Sequence, residues 1–109
     1  MERRDKPCSK FEEDLFEKCF KQWGVESQLF MLVEECSELI QSASKDMYRN
    51  VPERTSKERL QHFAEEIADV QLMLDEFIWR FNLEEDVKYF RMEKRARLEK
   101  LLDKIRIEV

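Results

Sequence analysis

Glycine is almost absent from this sequence: Gly24 is the only one in 109 residues, and there are only two prolines. Tight hairpin turns rely on glycine at positions of positive φ, so this chain lacks the residues that a sheet of several hairpins requires. Glu, Lys, Leu and Arg are abundant and favour helices, and 42% of the residues are hydrophobic. The sequence therefore predicts an all-α protein, and its length predicts one domain over residues 1–109 with a single core.

Capping signals and apolar spacing divide the chain into predicted helices. Ser9 with Glu12 and Thr55 with Glu58 have the spacing of a capping box, and Asn82 is a further N-cap candidate. Apolar residues recur at intervals of three and four residues after each signal. The predicted segments are residues 9 to about 23, about 26 to 48, 55 or 56 to 81, and 82 to about 105. Because only about six residues join the second and third segments, we expect them to form the antiparallel central hairpin of a bundle of about four helices.

The sequence disfavours membrane proteins and proteins built on cysteine. The longest uncharged run, Ser27 to Val33, is far shorter than the ~20 residues of a membrane span, and Met1 to Asp5 leads into no apolar signal core. The three cysteines have no C-x-x-C spacing and His62 is the only histidine, which argues against a disulfide framework and a Cys/His zinc site. We therefore expect a cytoplasmic protein with reduced thiols.

Charge is distributed unevenly along the chain. Lys88 to Arg106 contains eight basic and three acidic side chains, a local net charge of +5 that leaves −10 for the rest of a chain whose total is −5. The acidic remainder disfavours nucleic acid as the main partner, because long polyanions bind through extended basic surfaces. A small polyanion is compatible with the basic segment.

One acidic pattern occurs on both the second and the third predicted helix. Residues 33–39 (VEECSEL) and 64–70 (AEEIADV) each place a third acid three positions after a pair of acids. At about 100° per residue, Glu35 and Glu66 border the apolar stripes of their helices, with Glu38 and Asp69 further round in the same rotational sense. Antiparallel helices on one core turn such flanks toward each other, so these four carboxylates are expected to converge.

Converging carboxylates predict a divalent-metal site. Crowded, half-buried carboxylates repel one another and lose hydration unless a cation neutralises them. Oxygen ligands select hard ions, so Mg²⁺ is expected, with Mn²⁺ as an alternative. Di-iron chemistry is disfavoured, because its Glu-x-x-His motif is missing: Asp69 stands three positions after Glu66. The competing interpretation is a solvated acidic face with Lys and Arg partners.

Cationic residues accompany the acidic pattern. Helical steps from Glu38 bring Ser42, Lys45 and Arg49 to one side of the second helix. The fourth predicted helix adds Lys88, Arg91, Lys94 and Arg95. A metal site flanked by cations suits a polyphosphate, and ordinary surface ion pairing is the alternative. Trp23 is a candidate for stacking on a base, although a tryptophan at the end of a helix is more often a core residue.

Three motifs in this order resemble the signature of a known family. The chain contains Trp23-Gly24-x-x-x-Gln28, then Glu34-Glu35-x-x-Glu38-Leu39, then Glu66-x-x-Asp69. Over about residues 20 to 100 it is similar to the MazG-like branch of the all-α nucleoside triphosphate pyrophosphohydrolases. The resemblance implies a Mg²⁺-dependent enzyme that cleaves a nucleoside triphosphate between the α and β phosphates, releasing the monophosphate and pyrophosphate. It also implies a homodimer or homotetramer.

The resemblance assigns roles to individual residues. The implied metal ligands are Glu35, Glu38, Glu66 and Asp69. The candidate substrate-binding residues are Trp23, Gln28, Lys45, Arg91, Lys94 and Arg95. Arg95 stands where many relatives carry an asparagine that helps to hold the substrate, which leaves the nucleotide preference open. Phosphoribosyl-ATP pyrophosphohydrolases share the acidic pattern and are the alternative enzyme.

The expected chemistry needs no covalent nucleophile. Phosphoryl transfer depends on positioning and charge neutralisation, and the sequence offers no Ser-His or Cys-His arrangement. Water is therefore the expected nucleophile, with Glu34 or Glu65 as the candidate catalytic base.

A non-catalytic helical interaction module is the rival class of function. The apolar stripes of all four predicted helices, together with Phe77, Trp79 and Phe81, provide more hydrophobic surface than one small bundle hides. Large exposed patches usually mark interfaces, so the sequence predicts self-association in either case.

Overall fold

The computed structural model describes residues 8–50 and 52–108, with side chains as far as residue 106. The described part is helical: α1 is Lys10–Ser42, α2 is Ser56–Phe81 and α3 is Glu84–Glu108. A π-helical segment, Ala43–Tyr48, continues directly from α1. The predicted all-α class is thus confirmed. Residues 1–5, which the sequence predicts to lead into no signal core, lie outside the described residues.

The predicted count of four helices is not confirmed, because the first two predicted segments run on as α1. Gly24 has φ 84° and ψ 163°, a non-helical conformation at which α1 kinks. Glycine adopts a positive φ without the clash that a Cβ would cause, so the chain turns here and resumes the helix at once. The single glycine therefore separates two helical stretches of α1, which meet at the kink.

Both predicted capping boxes are present. Ser9 and Thr55 accept hydrogen bonds from the backbone N–H groups of Glu12 and Glu58, whose carboxylates accept from the N–H groups of the two caps. Each box satisfies N–H groups that a helix start leaves without a partner, so the starts of α1 and α2 are fixed locally.

Asn82 ends α2, and the prediction that it begins the last helix is wrong. Its backbone is left-handed, with φ 55° and ψ 52°. The N–H of Asn82 donates to the Trp79 carbonyl (3.3 Å) and the N–H of Leu83 donates to the Ile78 carbonyl (2.9 Å). This pair of bonds is a Schellman motif, which favours residues that tolerate the left-handed region, as asparagine does. α3 therefore begins two residues later, at Glu84.

α1 and α2 pack against each other as antiparallel neighbours. The contacts between them run in opposite order along the two helices: Phe16 with Trp79, Glu35 with Asp69, and Ser42 with His62. Phe16 is only 1% exposed, and the Phe20 and Phe77 rings meet edge to face with their centroids 5.5 Å apart. Aromatic packing thus fixes one end of this pair, and polar residues meet at the other.

Two of the aromatic residues that the sequence assigned to surplus surface belong to this packing. Phe77 is buried, and Trp79 is half-buried against Phe16 and Phe20. Only Phe81 of the three is exposed. Their position on the face of α2 that meets α1 explains the difference.

α3 makes little contact with the rest of the described chain. Every side chain from Lys88 to Arg106 is exposed, including large apolar ones such as Leu98, Leu101 and Ile105. The radius of gyration is 17.8 Å, against about 13 Å for a compact domain of this length. No helix in the described ranges combines the length and apolarity that crossing a bilayer demands.

Candidate metal and phosphate site

Three carboxylates converge where the C-terminal part of α1 meets α2. Glu35 and Glu38 come from α1 and Glu66 from α2, and one oxygen of each lies within 4.8 Å of those of the other two. Glu66 is buried, Glu35 half-buried and Glu38 exposed. The antiparallel packing brings the acidic flanks together as the sequence predicts.

Asp69 extends this cluster through Glu35. Burial raises the pKa of the Glu35 carboxyl, and the charges of Glu38 and Asp69, with a hydrogen bond to Asp69, raise it further. Asp69 itself is exposed. The four predicted ligands therefore lie in one neighbourhood, with Asp69 at its edge.

The donor set fits a divalent cation. Glu35 Oε1 and Glu66 Oε1 are buried and have no hydrogen-bond partner among the described residues. Buried carboxylate oxygens that lack partners are costly, and a cation would satisfy both. Oxygen donors at these separations suit a hard ion such as Mg²⁺ or Mn²⁺.

A second polar network, which the sequence did not predict, adjoins the cluster. His62 Nδ1 lies 2.5 Å from Asp46 Oδ2, and His62 Nε2 lies 3.3 Å from Glu66 Oε2. Ser42 donates to the same Asp46 oxygen at 2.7 Å, and Arg54 Nη1 lies 3.3 Å from Asp46 Oδ1. The available sequence signal was spacing: His62 precedes Glu66 by four residues and so shares its face of α2.

A cavity of about 740 Å³ joins the acidic residues to a group of cations. Glu38, Glu66 and His62 are among the residues that line it. Three cations line it as well: Lys45, Arg49 and Arg54. Lys45 and Arg49 are on the side of the chain that the sequence predicts, whereas Arg54 comes from the loop before α2 and was not predicted. The cavity therefore offers metal ligands and anion-binding groups together.

No protein-family model, curated protein or solved structure matches this chain. The resemblance to the MazG-like family therefore rests on the sequence motifs alone.

Trp23 and Gln28 lie away from this cavity's lining. Trp23 is 58% exposed beside the kink in α1. Gln28 is buried, and its amide nitrogen donates to both carboxylate oxygens of Glu76 on α2. Burial raises the pKa of the Glu76 carboxyl. Gln28 therefore has a structural partner, and the substrate roles of Trp23 and Gln28 stay predictions.

The cations predicted on the last helix are not part of the cavity lining either. Arg91, Lys94 and Arg95 are exposed on α3, and Arg95 lines a separate apolar surface with Met92 and Leu98. Contact of these cations with phosphate stays a prediction.

Glu34 and Glu65, the candidate bases, are both exposed. Each stands one position before a residue of the acidic cluster, which turns it about 100° away around its helix. Glu65 lines a shallow cavity that shares Arg54 and His62 with the main one. Of the two candidates, Glu65 is thus the one that adjoins the network around the cluster.

Proposed function

We propose that this protein is a cytoplasmic, Mg²⁺-dependent nucleoside triphosphate pyrophosphohydrolase, similar to the MazG-like enzymes, that removes nucleotides from the cellular pool. The reaction would add water to a phosphorus atom, break the bond between the α and β phosphates, and release a nucleoside monophosphate and pyrophosphate. The observation that carries this proposal is the cavity that Glu38 and Glu66 line together with Lys45, Arg49 and Arg54.

The charge arrangement supports a polyphosphate substrate. Cations alone would bind a simple anion, and carboxylates alone would bind a metal; their combination suits a ligand that carries metal on one side and bare phosphate oxygens on the other. A bound divalent ion supplies charge neutralisation and makes water more acidic. Lys45, Arg49 and Arg54 then neutralise the phosphate oxygens that such an ion leaves uncovered.

The acidic residues of the protein have two roles, metal binding and proton acceptance. Glu35, Glu38, Glu66 and Asp69 hold and orient the ion, and the unpartnered oxygens of Glu35 and Glu66 support this role. Glu34 or Glu65 accepts the proton of the attacking water in this proposal. Glu65 is favoured because it adjoins the cavity network at His62.

Self-association is part of the proposal. Exposed apolar residues follow the length of α3, among them Phe90, Leu98 and Leu102. A dimer or tetramer would cover them and complete a bundle of about four helices from more than one chain. The same surface also supports the rival function, a non-catalytic interaction module.

Product analysis decides between these functions. Purified protein is incubated with ribo- and deoxyribonucleoside triphosphates and with phosphoribosyl-ATP, with Mg²⁺ or Mn²⁺ and with chelator. Monophosphate and pyrophosphate from at least one nucleoside triphosphate are expected, only with metal. Turnover of phosphoribosyl-ATP alone would favour the alternative enzyme. No product from any substrate, or diphosphate with inorganic phosphate, would contradict the proposal.

A further inference from the structure

His62 stands at the boundary between the acidic cluster and the buried polar network. It lines the same cavity as Glu38 and Glu66, and it precedes Glu66 by one turn of α2. Its side chain is 33% exposed, so the ring reaches the cavity and is not enclosed in the core. It is also the only histidine of the sequence.

Asp46 fixes the Nδ1 edge of the His62 ring. Asp46 is 2% exposed, and Ser42 and Arg54 hold its two carboxylate oxygens. Both contacts come from donors, the Ser42 hydroxyl at 2.7 Å and the Arg54 guanidinium at 3.3 Å, so this carboxylate acts as an acceptor. Nδ1, at 2.5 Å from Asp46 Oδ2, must therefore carry the hydrogen. In a neutral imidazole this leaves Nε2 with a lone pair.

That lone pair faces the acidic cluster. Nε2 lies 3.3 Å from Glu66 Oε2, and the other oxygen of Glu66 is buried with no partner among the described residues. Glu66 itself is only 9% exposed. Two donors that share an ion at about 2.1 Å lie about 3.0 Å apart at a right angle and about 3.4 Å apart in a tetrahedron. The observed separation falls between these values.

We propose that His62 Nε2 is a nitrogen ligand of a divalent-metal site shared with Glu66, so that this protein binds Mn²⁺ or another transition-metal ion in preference to Mg²⁺. A histidine that gives its other N–H to a carboxylate is the usual arrangement of a metal-binding imidazole. Imidazole favours transition ions over Mg²⁺. The inference rests on the proposed function for the identity of the site and changes its preferred ion: Mn²⁺ or another transition-metal ion replaces the Mg²⁺ that carboxylates alone would favour.

The rival arrangement is an imidazolium that donates to both Asp46 and Glu66. His62 would then neutralise Glu66 without touching a metal. The two arrangements differ in one observable, which is whether the nitrogen of His62 is bonded to the ion.

Electron paramagnetic resonance of bound Mn²⁺ measures this directly. Pulsed spectra of the wild-type protein are recorded with natural histidine and with ¹⁵N-histidine, which labels His62 alone. A nitrogen coupling that changes with the label is expected. The His62→Gln variant should lose it, and Lys45→Ala, which alters the same cavity without touching the ring, should keep it.

Metal titrations give the second readout. The ratio of Mn²⁺ to Mg²⁺ affinity, measured by calorimetry with circular dichroism to monitor folding, should fall about 10- to 100-fold in His62→Gln. Asp46→Asn should weaken Mn²⁺ binding by about 10-fold, because the ring loses the carboxylate that orients it.

The outcomes separate this inference from the proposed function. Bound Mn²⁺ without a label-sensitive coupling overturns the inference in favour of the imidazolium. The absence of Mn²⁺ binding also overturns the inference. The wild-type spectrum decides this even if a variant does not fold. A label-sensitive coupling in a protein that hydrolyses no nucleotide supports the inference while the proposed function fails.

Discussion

Asp46 Oδ2 lies 2.5 Å from His62 Nδ1, although 16 residues separate them in the sequence. The bond ties the π-helical segment to the first half of α2, next to the acidic cluster. π-Helical turns are rare and occur often at functional sites. Here the turn carries Asp46 and Lys45, one holding the ring of His62 and the other lining the cavity.

Replacing one acid of the cluster should abolish hydrolysis without unfolding the protein. Glu38→Gln and Glu66→Gln each remove a metal ligand, so both should lose activity. Glu38→Gln also removes a charge that repels its neighbours, so its melting temperature without metal should stay the same or rise. Activity assays and circular dichroism measure the two effects. Glu26→Gln, on an exposed position of the same helix, is the control. Near-normal turnover of either cluster variant at saturating Mg²⁺ would exclude the four-carboxylate site.

Lys45→Ala should weaken kcat/KM by about 10- to 100-fold, which corresponds to roughly 1.5 to 3 kcal/mol for a hydrogen bond to a charged group. Metal affinity of the free protein should stay the same or improve, because a nearby positive charge is removed. The neighbouring Asp46 contacts Ser42, His62 and Arg54. Steady-state kinetics beside a Mn²⁺ titration separate the cases, with Lys18→Ala as control. Unchanged kcat/KM would show that Lys45 is a surface residue with no role in phosphate binding.

The protein should be oligomeric at micromolar concentration. Replacing Leu98 and Leu102 together by glutamine should shift the equilibrium toward monomer. Both leucine side chains are exposed on α3, and burying polar glutamine side chains in an interface is less favourable than burying leucine. Light scattering measures the mass, and Lys100→Gln on the same helix is the control. A monomeric mass for the wild-type protein would count decisively against this prediction.

Glu76→Gln should change how stability depends on pH. Burial raises the pKa of Glu76 in the folded state above its ordinary value of 4.5. The folded state therefore holds this proton more tightly, and the stabilisation is complete below pH 4.5 and lost as pH rises through the folded pKa. The variant lacks this loss, so its stability relative to wild type should grow toward neutral pH. Urea unfolding at several pH values tests this; parallel curves would refute it.

Cys8 should resist thiol reagents in the folded protein. It is 7% exposed, and burial, followed by the charges of Glu13 and Glu12, raises its pKa to about 11 from 9.0. At pH 8 this higher pKa lowers the thiolate fraction by about 100-fold. Because the thiolate is the reactive form, alkylation should slow accordingly. Alkylation followed by peptide mass spectrometry, with and without urea, measures the rate. Equal rates in both conditions would show that Cys8 is not protected.

Local signals in the sequence were sufficient for the helices and for the acidic pattern. A capping box acts within four residues, and the phase of Glu35, Glu38, Glu66 and Asp69 follows from the helical repeat alone. These features do not depend on packing, which is why the all-α class and the acidic flank of each helix could be anticipated, whereas the convergence of the acids also required the antiparallel hairpin that the short connection predicted. Asn82 shows the limit, because the same residue type suits either end of a helix and only the backbone it adopts distinguishes them.

The sequence by itself determined a helical chain with one acidic face on each of two helices, because short-range hydrogen bonds and apolar spacing set both. The tertiary structure decided which distant residues meet. Antiparallel packing placed His62 between Asp46 and Glu66, and it brought Arg54 to the cavity while leaving Arg91, Lys94 and Arg95 exposed on α3. Such contacts depend on the register and direction of whole helices, and those are fixed by the burial of side chains such as Phe16 and Phe77, not by the residues that come to share a site.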